Sequence, residues 1–194
     1  MCWRAFITTE SSTLKNHRPS GKETMGISIT NRQRKARINL ARLRRRAAAV
    51  LDKLRPPGDS SIARDIDIAI VGDRTMRKLN RQFRSIDETT DVLSFPSGPF
   101  PAEGFSGQGP DDFNSAQEQK HIGDVAISIG EALRQAGEDG VSIDVAIDRL
   151  IVHGVLHLHG FDHDSAEGSS RMRRKENALL KMLHGAGLPG YAVR

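Results

Sequence analysis

The segment HGVLHLHGFDHD, residues 153–164, constrains the structure of this chain more than any other stretch. It contains four histidines, whereas the whole chain of 194 residues has seven. His153 and His157 are four residues apart, which places both imidazoles on one face of an α-helix, one turn apart. Gly160 follows where helices commonly end in a left-handed residue. The segment therefore predicts a helix that ends near Gly160 and a reversal that brings His163 back.

Three imidazoles that converge in this way can hold one metal ion. Zinc bound by three histidines at about 2.0 to 2.1 Å keeps a fourth tetrahedral position for water, which is typical of catalytic zinc sites. The sequence has one cysteine, Cys2, so cysteine ligands cannot complete the site. We therefore predict one zinc ion per chain, held by His153, His157 and His163. Three histidines would also accept nickel or another divalent ion.

The other polar residues near these histidines are assigned different roles. His159 points to another side of the helix and is not predicted to be a ligand. Asp162 and Asp164 flank His163 and could orient an imidazole or accept a proton from water, or they could be ordinary turn residues. The remaining histidines have no partners at ligand spacing and are interpreted as surface residues: His17, His121 and His184.

Gly154 separates this segment from the zinc metalloproteases that share its histidine spacing. Their signature, H-E-x-x-H-x-x-G-x-x-H, has a glutamate after the first histidine, and that glutamate acts as the general base in peptide hydrolysis. Because this chain has Gly154 there, peptide hydrolysis by the usual route is disfavoured. We predict instead that Gly154 serves close packing, since four apolar residues share its side of the helix: Ile147, Leu150, Ile151 and Leu158.

Alternating apolar and polar residues predict four strands. Asp65–Val71 alternates strictly, as a half-buried strand does, and is the clearest of them. Shorter stretches of strand character occur around Ile27 and Ile29, at Thr90–Pro96, and from Gly123 onward.

Four other stretches carry apolar residues at helical spacing. Leu40–Leu54 has arginines between its apolar residues and is followed by RPPGD, which stops a helix. A second helix follows Val71, and Asp73 is expected to be its N-cap. The histidine helix is expected to begin at Ser142 or Asp144. The last helix is predicted at Ala166–His184.

The order of these segments predicts an α+β fold, in which a small mixed four-stranded sheet is packed with about five helices, including a zincin-like metal helix. Because 194 residues are too few for two ordinary domains, residues 25–185 are predicted to form one. Residues 1–24 lack periodicity and are predicted to be a disordered extension, and translation could begin at Met25. A flexible loop is predicted at 97–120 and a tail at 186–194.

The distribution of positive charge along the sequence indicates what kind of partner the protein could bind. The formal net charge is +5, and many basic residues are concentrated between Asn31 and Arg46. This concentration suits a polyanion such as RNA, although a charge run on its own is more often a solvated helix face. No stretch of eighteen apolar residues and no secretory signal occur in the sequence, so we expect a cytoplasmic protein with no membrane partner.

Several motifs together resemble the YbeY family of single-domain zinc endoribonucleases. HGVLHLHGFDH is similar to the family signature H-G-x-L-H-L-x-G-[YF]-D-H, and LNRQFRSIDETTDVLSFP, residues 79–96, resembles a second family block. IGDVAIS and ISITNRQRK resemble a family strand and the usual start of its members. The resemblance covers residues 26–184. The extension before Met25 and the long loop after Phe95 exceed the family pattern.

The resemblance implies a single-strand-specific, zinc-dependent endoribonuclease that acts in rRNA processing, including 16S rRNA 3′-end maturation, and in ribosome biogenesis or quality control. It carries over His153, His157 and His163 as zinc ligands and Arg84 as a catalytic residue that faces the metal. A fixed guanidinium can bind two nonbridging phosphate oxygens as their charge develops. Arg84 could instead form a salt bridge with Asp87 or Glu88.

The implied partners are ribosomal RNA and the small ribosomal subunit, and ribosomal proteins or a GTPase could also bind. Two other functions stay open at this point. One is a ribosome-assembly or RNA-binding factor whose zinc is mainly structural, and the other is a metallopeptidase, against which Gly154 argues. Water and the neighbouring RNA 2′-hydroxyl are both possible nucleophiles.

Overall fold

Short, largely apolar strands form the sheet at the centre of the structure. The structure is a computed structural model that describes residues 26–55, 65–97 and 121–185. In this part of the chain it contains four strands and five helices. In chain order they are β1 (Ile27–Asn31), α1 (Leu40–Leu54), β2 (Asp65–Val71), α2 (Asp73–Arg84), β3 (Val92–Pro96), β4 (His121–Ser128), α3 (Ile129–Asp139), α4 (Ile143–Leu158) and α5 (Ala166–His184).

The sheet is mixed, with the strand order β1-β2-β4-β3. β1, β2 and β4 run parallel, and β3 pairs antiparallel with β4 at the edge. This arrangement confirms the predicted α+β class with a small mixed sheet. The predicted extension at 1–24, the loop beyond Ser97 and the tail at 186–194 lie outside the described residues.

β2 was expected to be half-buried, but its second half is buried on both faces, because Ala69 and Val71 are apolar as well. Ile66, Ile68 and Ile70 belong to a core shared with α1, α4 and α5, whereas Ala69 and Val71 pack with α2 on the opposite face. Parallel strands are normally covered on both faces, because their crossover helices lie there. Helix α4 therefore lies on one side of the sheet and α2 on the other.

Gly154 lets α4 pack closely against β3 and β4. A Cβ added at Gly154 would lie 2.7 Å from Val125 Cγ1, 3.2 Å from Val92 Cγ2 and 3.3 Å from Ser94 Oγ. Ser94 Oγ donates a hydrogen bond of 3.1 Å to the Gly154 carbonyl, so it fixes the helix to β3. The predicted packing role is confirmed, and the close approach is to side chains of the sheet.

We expect Gly154→Ala to lower the free energy of unfolding by about 1 to 3 kcal/mol, the usual cost of overpacking a core. Urea denaturation of the purified proteins measures this loss. Gly137→Ala is the matched control, because Gly137 lies in α3 and an added Cβ there meets nothing within 4 Å. The control should be as stable as the wild type or more stable. Equal stability of the wild type and the Gly154→Ala variant would contradict the packing role.

The helix starts differ from the sequence expectations in one place. Gly72, not Asp73, is the N-cap of α2, and no side chain caps that helix. Asp73 instead accepts hydrogen bonds from Lys35 Nζ at 2.9 Å and Ser128 Oγ at 3.0 Å. The bond from Lys35 is the main reason that the pKa of Asp73 is lowered. Ser142 caps α4, which confirms one of the two predicted starts of this helix.

Salt bridges between α1 and α4 use part of the basic segment for packing. Arg42 pairs with Asp144, and Arg46 pairs with Asp148, whose side chain is completely buried. His184 Nε2 lies 3.1 Å from Asp148 Oδ2, and its side chain is only 9% exposed. The interpretation of His184 as a surface residue was therefore wrong. Because the buried carboxylate of Asp148 needs a charged partner, Arg46 holds α1 against α4, and Arg42 adds a partly exposed ion pair between the same helices.

No helix in the described part of the chain is both long enough and apolar enough to cross a membrane.

Candidate metal centre

The last two turns of α4 place two histidines on one face, as their spacing predicted. His153 is 7% exposed, and His157 is partly buried. Their Nε2 atoms lie 3.0 Å apart. His163, which follows the helix, completes a group in which one ligand atom from each residue lies within 4.8 Å of the others. The structure thus brings together all three predicted metal ligands.

A glycine-dependent helix end brings His163 back. Gly160 has φ +80°, in the left-handed region. The Phe161 N–H donates to the Leu156 carbonyl at 3.1 Å, and the Gly160 N–H donates to the His157 carbonyl at 3.0 Å. This pair of bonds is the Schellman motif, which ends helices at glycine. The predicted helix end and chain reversal are both confirmed.

We expect Gly160→Ala to destabilise the protein and to weaken its metal binding. Alanine at a left-handed position costs about 1 to 2 kcal/mol, and a shifted turn would move His163 away from the other two imidazoles. Gly140→Ala is the matched control, because Gly140 ends α3 at φ +64° and an added Cβ meets nothing there. Thermal melting and chelator competition should show a stability loss in both variants and weaker metal binding only in Gly160→Ala. Equal metal binding in both would contradict the role of this turn.

Burial and positive charge keep His157 neutral in the metal-free protein. Burial, followed by the neighbouring His153 and His163, lowers the pKa of His157 to about 4, and the positive charge of Arg84 adds to the effect. A neutral imidazole has a free lone pair on one nitrogen, which is the form that binds metals. His157 is therefore in the ligand form at neutral pH.

Arg84 is the last residue of α2, and its side chain is exposed. Its positive charge contributes to the lowered pKa of His157, although α2 covers the opposite face of the sheet. Asp87 does not pair with it, since both Asp87 oxygens accept from Arg77, at 3.0 Å from Nε and 2.7 Å from the terminal nitrogen. Within the described residues Arg84 has no salt bridge with Asp87 or Glu88. The ion pair considered as an alternative to its catalytic role is therefore not formed.

One buried carboxylate near the three histidines was not predicted. Glu176 Oε1 lies 2.5 Å from His153 Nδ1, and the Glu176 side chain is 3% exposed. The two residues are 23 positions apart, so ligand spacing could not connect them. A signal was present nevertheless, because Glu176 falls within the apolar stripe of α5 between Met172 and Leu179.

The other polar residues of the segment lie outside this group. His159 Nδ1 lies 2.8 Å from the Val155 carbonyl and donates to it, so the ring folds back along the helix. Asp162 is exposed and lies against the first turn of α5, where a Cβ added at Gly168 would be 2.7 Å from its Oδ1. Asp164 is 3.8 Å from His163 Nδ1 and largely exposed. A supporting role for Asp162 stays a prediction.

His121 was wrongly interpreted as a surface residue. Its side chain is 25% exposed, and its Nε2 lies 2.9 Å from Asp124 Oδ1. With Asp67, these residues form a second group whose geometry could hold a metal ion. Asp67 and Asp124 are register partners on β2 and β4. By strand alternation Asp124 shares the face of Ala126, which packs with α2, so this group lies across the sheet from the three histidines.

The three histidines fit a divalent metal on two observations. Two nitrogens bound to one tetrahedral ion at about 2.0 to 2.1 Å would lie about 3.3 Å apart, close to the 3.0 Å between the Nε2 atoms of His153 and His157. Glu176 Oε2 is buried without a hydrogen-bond partner among the described residues, so a negative charge beside the group lacks full compensation. A cation held by the imidazoles would supply it. An all-nitrogen donor set suits zinc, nickel and similar ions.

Comparisons with known proteins show the family to which the chain is similar. The family model described as Endoribonuclease YbeY matches residues 28–184. A protein named endoribonuclease YbeY from Anaeromyxobacter sp. (strain Fw109-5) is 37% identical over 170 residues, which cover 88% of this chain and 77% of that protein. One of the same name from Caldicellulosiruptor saccharolyticus is 38% identical over 157 residues, covering 81% and 96%.

A solved structure is also similar. The solution structure of TM1509 from Thermotoga maritima has a TM-score of 0.51 and 20% sequence identity, and the match covers 82% of this chain and 89% of that one. At that identity the likeness concerns the fold alone. The family assignment rests on the sequence matches, which span the strands, the helices and the three histidines. The chain belongs to the YbeY family.

Proposed function

We propose that this protein is a zinc-dependent endoribonuclease that cleaves single-stranded RNA. The observation that carries the proposal is the group formed by His153, His157 and His163, whose ligand atoms lie within 4.8 Å of one another. Family membership supports the choice of RNA as substrate, because the similar proteins are named endoribonucleases. The chemistry of the donors and the names of the relatives therefore point to the same class of reaction.

The biological role that we propose is rRNA processing, in particular maturation of the 16S rRNA 3′ end, together with ribosome biogenesis or quality control. The expected partners are ribosomal RNA and the small ribosomal subunit, with ribosomal proteins or a GTPase as further candidates. This role would place the protein in the cytoplasm. It rests on the family resemblance and on the basic character of the chain, whose formal net charge is +5.

The three histidines would hold zinc, which when bound supplies a Lewis acid for the phosphate and lowers the pKa of water. The role of Arg84 follows from its position and charge. Its guanidinium is exposed, is not paired with Asp87, and acts electrostatically on His157. It would bind the nonbridging oxygens of the scissile phosphate and stabilise the negative charge that grows there.

Gly154 favours a nuclease over a peptidase. A Cβ at this position would already lie 2.7 Å from Val125 Cγ1, so the packed helix has no room for the glutamate that metalloproteases use as a base. The proton of the nucleophile must therefore leave by another route. The nucleophile is either water or the neighbouring RNA 2′-hydroxyl.

The number of donors favours a catalytic metal over a structural one. Structural zinc sites normally have four protein ligands, whereas catalytic sites have three and keep one position open. Within the described ranges, the group around His153 contains three donor residues, and one of them, His163, is exposed. An RNA strand could therefore approach the metal from the side of His163.

Exposed arginines near α1 would supply affinity for the RNA backbone. Arg34 and Arg37 precede the helix, Arg45 lies on it, and all three are exposed. Replacing the three by glutamine should weaken the binding of a single-stranded RNA and reduce the slope of log affinity against log salt by about 0.7 per lost phosphate contact. Filter binding across a salt series measures both quantities. Arg74→Gln is the control, because Arg74 is an exposed residue of α2. An unchanged slope in the triple variant would contradict the proposed contacts between these arginines and the RNA backbone.

The proposed function is tested by offering several substrates to one preparation of the full-length protein. We expect cleavage of single-stranded RNA, no cleavage of duplex RNA, DNA or casein, and loss of cleavage after chelation. A 2′,3′-cyclic phosphate at the new end would identify the 2′-hydroxyl as nucleophile, and its absence would identify water. Casein cleavage that disappears with His157→Ala would support a peptidase. RNA binding without cleavage, in a protein that unfolds when zinc is removed, would support an assembly factor.

A further inference from the structure

Glu176 occupies a position where an apolar residue would be expected. It lies on α5 between Met172 and Leu179, which are both buried in the core shared by α1, α4 and α5. Its residue exposure is 2%, as low as that of these neighbours. Oε1 contacts His153 Nδ1 at 2.5 Å, whereas Oε2 is buried with no hydrogen-bond partner among the described residues.

Such a carboxylate is costly for the fold alone. A buried charge is destabilising unless it is paired and fully hydrogen-bonded, and a neutral residue that keeps the same hydrogen bond avoids that cost. A single contact with His153 leaves one of the two oxygens of Glu176 without a partner. The metal-free fold therefore requires a hydrogen-bond acceptor for His153 at this position, but it gives no reason for a charged one.

The contact does have a defined effect on the His153 ring. A carboxylate only accepts hydrogen bonds, so a neutral His153 beside it carries its proton on Nδ1 and donates it to Oε1. Nε2 is then unprotonated, and its lone pair points to the side where the Nε2 of His157 lies 3.0 Å away. Glu176 thus selects the tautomer that a metal at the three histidines requires.

We propose that Glu176 is a positioning residue for the metal, which fixes the tautomer and orientation of His153 and whose buried charge is compensated by the bound cation. This inference rests on the proposed function in one respect, since it requires the three histidines to hold a metal. The inference predicts different effects on metal affinity and on the stability of the metal-free protein, whereas a purely structural role would lower both. Removing the charge while keeping a hydrogen-bond acceptor weakens metal binding, and it leaves the stability of the metal-free protein unchanged or increases it.

The test uses the full-length chain, first metal-free and then titrated with zinc in competition with a chromophoric chelator. Glu176→Gln keeps an acceptor for His153 but loses the charge, and Glu176→Leu loses both. We expect the zinc dissociation constant to rise about tenfold in the first variant and about a hundredfold in the second, the range typical of residues that support a metal ligand. The melting temperature of the metal-free Glu176→Gln variant should equal or exceed that of the wild type. That of Glu176→Leu should fall, because the buried His153 Nδ1–H loses its acceptor.

Glu167→Gln is the matched control, because Glu167 is an exposed glutamate in the first turn of the same helix. Its zinc affinity and melting temperature should match the wild type. Zinc affinity of Glu176→Leu within twofold of the wild type would overturn the inference, and so would unfolding of both metal-free variants. If wild type binds zinc but cleaves no RNA, the proposed function fails, whereas the inference is still decided by the affinities of the variants.

Discussion

Replacing His157 by alanine is expected to abolish zinc binding and to reduce RNA cleavage by about a thousandfold or more, as happens when one member of a catalytic unit is removed. Two imidazoles would remain, and they cannot hold the ion in a defined tetrahedral geometry. The fold should persist, because His157 lies near the end of α4 and is only partly buried. Metal content per chain, the rate of RNA cleavage and the circular dichroism spectrum of the same preparation measure the three effects.

His159→Ala is the matched control for this experiment. His159 follows two residues later in the chain, and its ring folds back onto the Val155 carbonyl. We expect the control to bind one zinc ion and to cleave RNA at nearly the wild-type rate. Unfolding of the His157→Ala variant would instead indicate a structural metal, and equal cleavage by both variants would show that the activity does not depend on the three histidines.

Replacing Arg84 by alanine is expected to reduce RNA cleavage by about a hundredfold to a thousandfold without loss of zinc. This is the scale of removing one preorganised group that stabilises charge in a transition state. Zinc content should stay at the wild-type level, because Arg84 is not among the donor residues. Single-turnover rates at saturating protein separate this effect from weaker RNA binding.

Arg81→Ala is the control for Arg84, since it lies one turn earlier on α2 and is also exposed. Arg81 lies 3.6 Å from Asp87, so its loss removes a comparable surface charge. Arg84→Lys should recover only part of the activity, because an ammonium cannot bind two phosphate oxygens in the planar geometry of a guanidinium. Equal rates in the Arg81 and Arg84 variants would contradict a specific role for Arg84.

The elements with strong periodicity could be predicted from the sequence with their bounds. Leu40–Leu54, Asp65–Val71 and Ala166–His184 have the same ends in the structure. In each case large apolar residues repeat at the period of the element and are buried on one face or on both. Periodicity of this kind reports burial directly, so it predicts elements whose buried residues are large.

Helix α3 could not be placed in this way. Its buried face consists largely of small residues, with Gly130, Ala132 and Ala136 following Ile129. A stripe of glycine and alanine has little apolar contrast with its polar neighbours, so the hydrophobic pattern is weak. Ser128 is the last residue of β4 and also caps α3, whereas the sequence pattern indicates only the strand.

The site could be predicted in part, because some of its geometry is local. The spacing of His153 and His157 and the left-handed Gly160 are properties of one helix and its end. Contacts between distant helices were not accessible to the same reasoning. The bond from His153 to Glu176 joins α4 to α5, and the pairing of Arg46 with Asp148 joins α1 to α4. Each was visible only as a charged residue at a buried helical position.

The central claim is that the three histidines hold a catalytic zinc ion, and titration of metal-free protein with zinc tests it most directly. RNA cleavage and bound zinc are measured on the same samples as zinc is added. We expect no cleavage without metal, and a rate that rises in proportion to bound zinc and levels off at one ion per chain. Cleavage by the metal-free protein at the full rate, or a fully loaded protein that leaves RNA intact, would contradict the claim.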